Sequence, residues 1–298
     1  MQLPPSGKLC LDHIAHYVEK MDQANDELKS LGFTLTPFSK QSHKLTPESP
    51  LEPAGAGNRC IMLEKGYIEI LNPIGTTSIA NQLRSGLKRY TGIHLIAFGT
   101  ALPEKDHARL SDSGFAPLNP VSLQRNIETK TKTETARFTV IRVPHGTMPE
   151  GRIQFCHHLT PKYLWQSQWT HHANHAKELK DIIICVTNPE ETANRYARFT
   201  GLTADLYKTH TRIKTTRGSL IFVSSYILNE KLEITPPCLP WIAGYVLKSS
   251  DQSGTANYLK NSKFPYREFN DGRLLVKLPK TVGGCLIFES ENAEMLNL

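Results

Sequence analysis

Four residues of this chain could together hold a metal ion, and they stand at positions that repeat. His13 and His94 lie early in two short apolar segments, LDHIAHYV from Leu11 and GIHLIAFG from Gly92. Glu69 and Gln154 each follow by three residues the glycine that opens GYIEIL and GRIQFC. Two imidazoles, a carboxylate and an amide oxygen make a mixed nitrogen and oxygen site for a divalent first-row ion such as nickel, cobalt, zinc, manganese or iron, with positions left for water or substrate. A Lewis-acid catalyst needs that arrangement. His13, Glu69, His94 and Gln154 are therefore the expected metal ligands, and Glu69, or a hydroxide on the metal, is the expected proton shuttle. A carboxylate in an apolar strand needs a partner to stay charged. An ion pair from Glu69 to Arg59 or Arg152 is the alternative to a metal, and Gln154 could instead hydrogen-bond substrate or a buried neighbour.

The elements that must position these residues repeat four times. Apolar openings begin at Leu11, Gly92, Leu179 and Trp241, and glycine-led apolar closings begin at Gly66, Gly151, Gly218 and Gly284. An amphipathic helix follows each opening. In the first copy Met21, Ala24, Leu28 and Leu31 recur at three- and four-residue steps before Gly32, a residue that commonly ends helices. Asn188-Pro189 starts the third helix, and the fourth runs from about Ser250 to Phe264. The pattern predicts an α+β protein of four βαβββ modules, paired about pseudo-twofold axes into two cups of mixed sheet. Between helix and closing strand, modules one and two carry polar inserts at Thr34 to Arg59 and Leu118 to Thr139. The first holds Pro37, Pro47, Pro50 and Pro53 and is expected to be mostly loop with one short strand.

Positions equivalent to the four candidates read Asp181, Gly244, Ile221 and Ile287 in the later modules, so the halves differ in function. Residues 8–160 are expected to form the metal-bearing domain, 161–177 a connector, and 178–290 a degenerate second domain whose cup is filled or apolar. That second domain is left to stabilise the first or to pair two copies as a homodimer. The stretch from Cys156 to Leu179 holds five of the twelve histidines and two of the three tryptophans. His158 shares a strand face with Gln154 and is a candidate substrate contact, as are Trp165 and Trp169, whose four-residue spacing equally suits packing. His157 should point away, and His171, His172 and His175 should lie on a surface helix or turn.

Composition narrows the function. With 298 residues, 39% hydrophobic and 21% charged, the chain is ordinary for a globular protein. No apolar run approaches the ~20 residues of a membrane helix, and the start lacks a signal peptide, so a cytoplasmic protein with no membrane partner is expected. Six cysteines without CxxC pairing read as reduced buried thiols. The net charge of +7 is scattered. It argues against nucleic acid and for solvated faces with a mild preference for anionic small molecules.

LDHI at Leu11 to Ile14, GNRCIMLEKGYIEIL at Gly57 to Leu71, HLTP at His158 to Pro161 and the LW…W…H…N segment from Leu164 to Asn174 resemble the glyoxalase-like domain proteins of the vicinal oxygen chelate superfamily. The resemblance implies paired βαβββ modules around a metal-bearing cup. By position, the ligands of the glyoxalase I branch match His13, Glu69, His94 and Gln154. No sequence here marks glutathione recognition. Extradiol dioxygenases carry their iron ligands in the C-terminal half, where this chain has Asp181, Gly244, Ile221 and Ile287. The expected activity is therefore a metal-dependent lyase or isomerase reaction on a small oxygen-bearing substrate, by bidentate chelation and oxyanion stabilisation. Fe(II) oxygen chemistry through His13, His94 and Glu69, and a metal-free binding or resistance protein, are the alternatives.

Overall fold

The structure is a computed structural model that describes residues 2–44, 46 and 48–298, so Pro47 of the first insert lies outside the described residues. In chain order, β1 (Leu9–Tyr17), α1 (Met21–Ser30), β2 (Ser39–Lys44), β3 (Glu52–Met62) and β4 (Tyr67–Pro73) are followed by α2 (Ser78–Arg89). Next come β5 (Gly92–Thr100), α3 (Pro103–Asp112), β6 (Val121–Glu128), β7 (Thr133–Arg142) and β8 (Arg152–His158), then α4 (Pro161–Leu164) and a 3-10 turn at Ser167–Trp169. The second half holds β9 (Ala176–Cys185), α5 (Pro189–Thr200), β10 (Ala204–Leu206), β11 (Thr211–Lys214) and β12 (Ser219–Val223). It continues with α6 (Ser225–Leu232), β13 (Trp241–Ser249), α7 (Gln252–Asn261), β14 (Arg267–Glu268), β15 (Leu274–Lys277) and β16 (Cys285–Ser290). The order β-α-β-β-β thus occurs four times in an α+β fold.

Local chemistry accounts for the helix limits. Asn188 caps α5 by accepting from the Glu191 N–H, and Asp251 caps α7 by accepting from Gly254. Gly32, at φ +89°, turns the chain after α1 in the left-handed region where a Cβ would be strained.

The first eight strands close on themselves. Around the circle, β1 pairs β4, β4 pairs β3, β3 pairs β2, β2 pairs β6, β6 pairs β7, β7 pairs β8, β8 pairs β5, and β5 pairs β1. The second insert, read from sequence as a long polar stretch, is the β6–β7 hairpin. The first insert contributes β2 and the start of β3. Their polar residues suit strands with one face turned to solvent. β5 meets β13 at Ile93 and Ile242, so one sheet runs through both halves.

The second half stays open, its path ending at β10 and β14. Its concave side is filled with apolar side chains, among them Ile221, Ile287, Leu228 and Leu232, together with Leu296 and Leu298 from the C-terminal segment. Asp181, at the position equivalent to His13, pairs instead with the buried Arg212 (3.2 Å) and hydrogen-bonds Ser219. No helix among the described residues is long and apolar enough to cross a membrane.

Candidate metal centre and its surroundings

Alternation along β8 turns Arg152, Gln154, Cys156 and His158 to the inside of the closed barrel, while His157 faces out and hydrogen-bonds the Thr100 carbonyl at 2.8 Å. His13, Glu69 and Gln154 line one small space of about 30 Å³ together with Tyr67, Arg125 and Arg142. The sequence-derived set is therefore three-quarters assembled. His94 lies elsewhere.

The reason is strand register. In the first module His13 pairs with Tyr67 and Ala15 with Glu69; in the second, Leu95 pairs with Arg152 and Ala97 with Gln154. Leu95 is thus the structural equivalent of His13. A slip of one residue sends a side chain to a different place. His94 is the extra residue of a bulge, since Ala15 and His16 of β1 face Leu95 and Ile93 of β5. Its ring is stacked between Tyr90 (3.9 Å) and Tyr17 (4.9 Å), and Nε2 hydrogen-bonds the Tyr90 carbonyl at 2.8 Å. Burial pushes its pKa down to about 4. The expectation that His94 completes the ligand set is corrected accordingly.

A second bulge supplies a residue that sequence reasoning passed over. Leu11 and His13 of β1 face Phe98 and Ala97, leaving Asp12 as the extra residue. Fully buried, its Oδ2 lies 2.6 Å from His13 Nδ1 and 2.9 Å from His158 Nε2. Burial alone would raise the Asp12 carboxyl; the adjoining His158 and His13 rings outweigh it and hold the pKa below the carboxylate range. The only signal in the sequence was the Asp-His pair within LDHI. Asp12, Cys156 and His158 also bring three ligand-capable atoms within 4.8 Å of one another. Burial, and then Asp12, raise the Cys156 thiol well above its ordinary pKa.

With Nδ1 engaged by Asp12, His13 has Nε2 left for a ligand, and its ring is stacked on Tyr67 at 4.3 Å. Metal-binding histidines are commonly oriented by such a carboxylate. Glu69 Oε1 accepts from Gln41 Nε2 at 2.9 Å and from Asn58 Nδ2. It makes no ion pair with Arg59 or Arg152 among the described residues. Gln154 Oε1 accepts from Arg142 Nε at 3.3 Å. The donor chemistry of His13 and Glu69 fits a divalent ion; the Gln154 oxygen is already engaged.

The remaining candidates surround this space. His158 is buried beneath it, against the edges of Phe138 and Trp165. Trp165 also meets Tyr67 edge-on at 5.9 Å and, partly buried, packs against the apolar cluster that contains Tyr67 and Phe138. Trp169 lines a separate cleft of about 370 Å³ that reaches Arg125 from outside. His171 is exposed, but His172 is not: it accepts from the Thr34 N–H at 3.0 Å and lies 2.9 Å from the Met62 carbonyl, joining the 161–177 stretch to the first half.

Residues 11–200 match the family model of the glyoxalase-like domain. A comparison with curated proteins gives no match. Among solved structures, the fold is similar to a hypothetical protein from Staphylococcus aureus, at 12% identity and TM-score 0.64 over 95% of this chain and 99% of that one. It is also similar to a mutant 4-hydroxymandelate synthase from Streptomyces coelicolor, at 11% identity and TM-score 0.61 over 97% and 94%. A third is the Mn(II)-bound glyoxalase from Novosphingobium aromaticivorans, at 10% identity and TM-score 0.54 over 95% and 82%. At these identities the likeness is one of fold.

Proposed function

Because the chain belongs to the glyoxalase-like domain family, we propose that it is a divalent-metal-dependent enzyme of lyase or isomerase type, acting on a small oxygen-bearing substrate in the first barrel. The observation that carries this reading is the Asp12 carboxylate at 2.6 Å from His13 Nδ1, with His13 and Glu69 lining one small space. In this reading the 8–160 half bears the site and the 178–290 half, its cup filled, supports it. The Mn(II) of the Novosphingobium glyoxalase is in keeping with such an ion.

His13 Nε2 and Glu69 would hold the metal, and a bound divalent ion supplies Lewis-acid polarisation of a substrate oxygen. The chain's own residues do the rest. Asp12 fixes the His13 tautomer and ring plane. Gln41 and Asn58 pin Glu69 Oε1, so Oε2 is the oxygen that would meet the metal or, when free of it, take a proton from a carbon beside a carbonyl. Arg142, aligned by Gln154, places positive charge where an oxyanion would develop. Phe138, His158 and Trp165 keep water out from below.

A metal-free binding protein is the second reading, favoured by the three guanidinium groups that surround one carboxylate in the barrel. Proton exchange separates the two. Small α-hydroxycarbonyl compounds in D2O, followed by 1H NMR, should lose their α-proton signal with Mn(II)-, Ni(II)- or Zn(II)-loaded protein. Chelator-treated protein and Glu69→Gln should leave it. Exchange that ignores the metal or Glu69, or no exchange with any ion, contradicts the enzyme reading.

A further inference from the structure

A cavity of about 460 Å³ lies between α2 and the 143–151 segment that joins β7 to β8. That volume is ordinary for a small-molecule site. Much of its wall is apolar, from Tyr17, Ile79, Val143 and Met148. Arg142 and Arg152 line it too, and both also line the space that holds His13, Glu69 and Gln154. The arginines thus stand at the junction between cavity and barrel interior.

Strand geometry puts the two guanidinium groups near one another. Arg142 pairs directly with Gln154 across β7 and β8, and Arg152 is two residues from Gln154 on the same face, which makes the arginines diagonal neighbours. Neither has a carboxylate within ion-pair distance among the described residues. Among the described residues, Arg142 hydrogen-bonds the protein only through Nε, to Gln154, and Arg152 only through Nη2, to Gln82 Oε1 at 3.0 Å. Among the described residues the cavity's one lining carboxylate is Glu52, which is exposed. Partly buried cations are normally paired. Two unpaired ones beside an apolar cavity describe a receptor whose counter-anion comes from outside.

We propose that this cavity binds a small organic anion, its carboxylate or phosphate head held by Arg142 and Arg152 and its apolar body against Tyr17, Ile79 and Met148. Planar guanidinium groups suit both heads because they offer paired donors to two oxygens. The head sits at the barrel's mouth, so the anion site is continuous with Glu69 and Gln154. Assigning the anion as the substrate rests on the enzyme reading above; the anion site itself does not.

Calorimetric titration of chelator-treated protein with benzoate, phenyl phosphate and the neutral benzyl alcohol tests the proposal. At least one anion should bind saturably and at least tenfold tighter than the alcohol, and the tighter of the two identifies the head group. Arg142→Gln and Arg152→Gln should each weaken binding tenfold or more. Gln82→Glu guards against a folding failure, since it changes no shape and gives Arg152 a carboxylate. It should raise Tm while weakening the anion at least tenfold. Equal binding of benzyl alcohol, no saturable binding of either anion, or unchanged affinity in Gln82→Glu would overturn the proposal. Anion binding by protein that takes up no metal would sink the enzyme reading and leave the anion site standing; metal uptake without anion binding would do the reverse.

Discussion

Asp12 Oδ2 and His13 Nδ1, from neighbouring residues of one strand, lie 2.6 Å apart inside the barrel. Neighbours on a regular strand face opposite ways, and the bulge at Asp12 removes that constraint. Asp12→Asn keeps the shape but loses the charge that orients the ring. Loss of such a partner typically costs 10–100-fold in metal affinity. Titration of chelator-treated protein with Zn(II) should show a loss of about that size; unchanged affinity would remove Asp12 from the account.

His94 provides the converse case. Its stacking on Tyr90 and Tyr17, and its hydrogen bond to the Tyr90 carbonyl, make it a packing residue. His94→Asn should leave metal stoichiometry at the wild-type level while lowering stability by roughly 1–3 kcal/mol, as expected when a buried hydrogen bond is lost. Thermal unfolding and elemental analysis of the same sample check both halves of that statement.

Three buried histidines tie stability to pH. Burial pushes His16, His94 and His172 down to about 4 from an ordinary 6.5. The folded state keeps these rings neutral, so as pH falls below 6.5 the unfolded chain takes up protons first and stability drops until about pH 4. The upper limit is about 3 kcal/mol per ring. Urea unfolding should give a lower free energy at about pH 5 than at about pH 7.5, with a shallower drop in His172→Gln. Equal stability at the two pH values would be the contrary result.

The second half's concave side is occupied by the chain itself. Leu296 is buried there with Ile221 and Ile287. Leu296→Ala should cost roughly 2–5 kcal/mol, the usual range for emptying a buried leucine site. It should not alter metal content. Denaturation midpoints together with elemental analysis would show whether the effect stays in that half.

Much of the fold was written locally in the sequence. The closing glycines, the Asn188 cap and the turn at Gly32 each act on their immediate neighbours, so the four-fold order of elements could be read from them. The site was harder to read because register is a property of paired strands. The apolar openings align His13 with His94, yet the ladders align His13 with Leu95, and a single bulged residue makes the difference. Asp12 stood beside His13 in plain view, but its role needs a bulge that no residue type announces. Arg125 and Arg142 gave no signal either, because they belong to a hairpin whose polar alternation resembles a loop.

Metal content is the most direct test of the central claim, that His13 and Glu69 hold a divalent ion in the first barrel. Protein purified without chelator, with His13→Ala, Glu69→Ala and His94→Asn alongside, would be analysed by elemental mass spectrometry. Near-stoichiometric metal is expected in the wild type and His94→Asn, with its loss in the other two. A wild type that binds no metal even after reconstitution, or metal retained in both alanine variants, would contradict it.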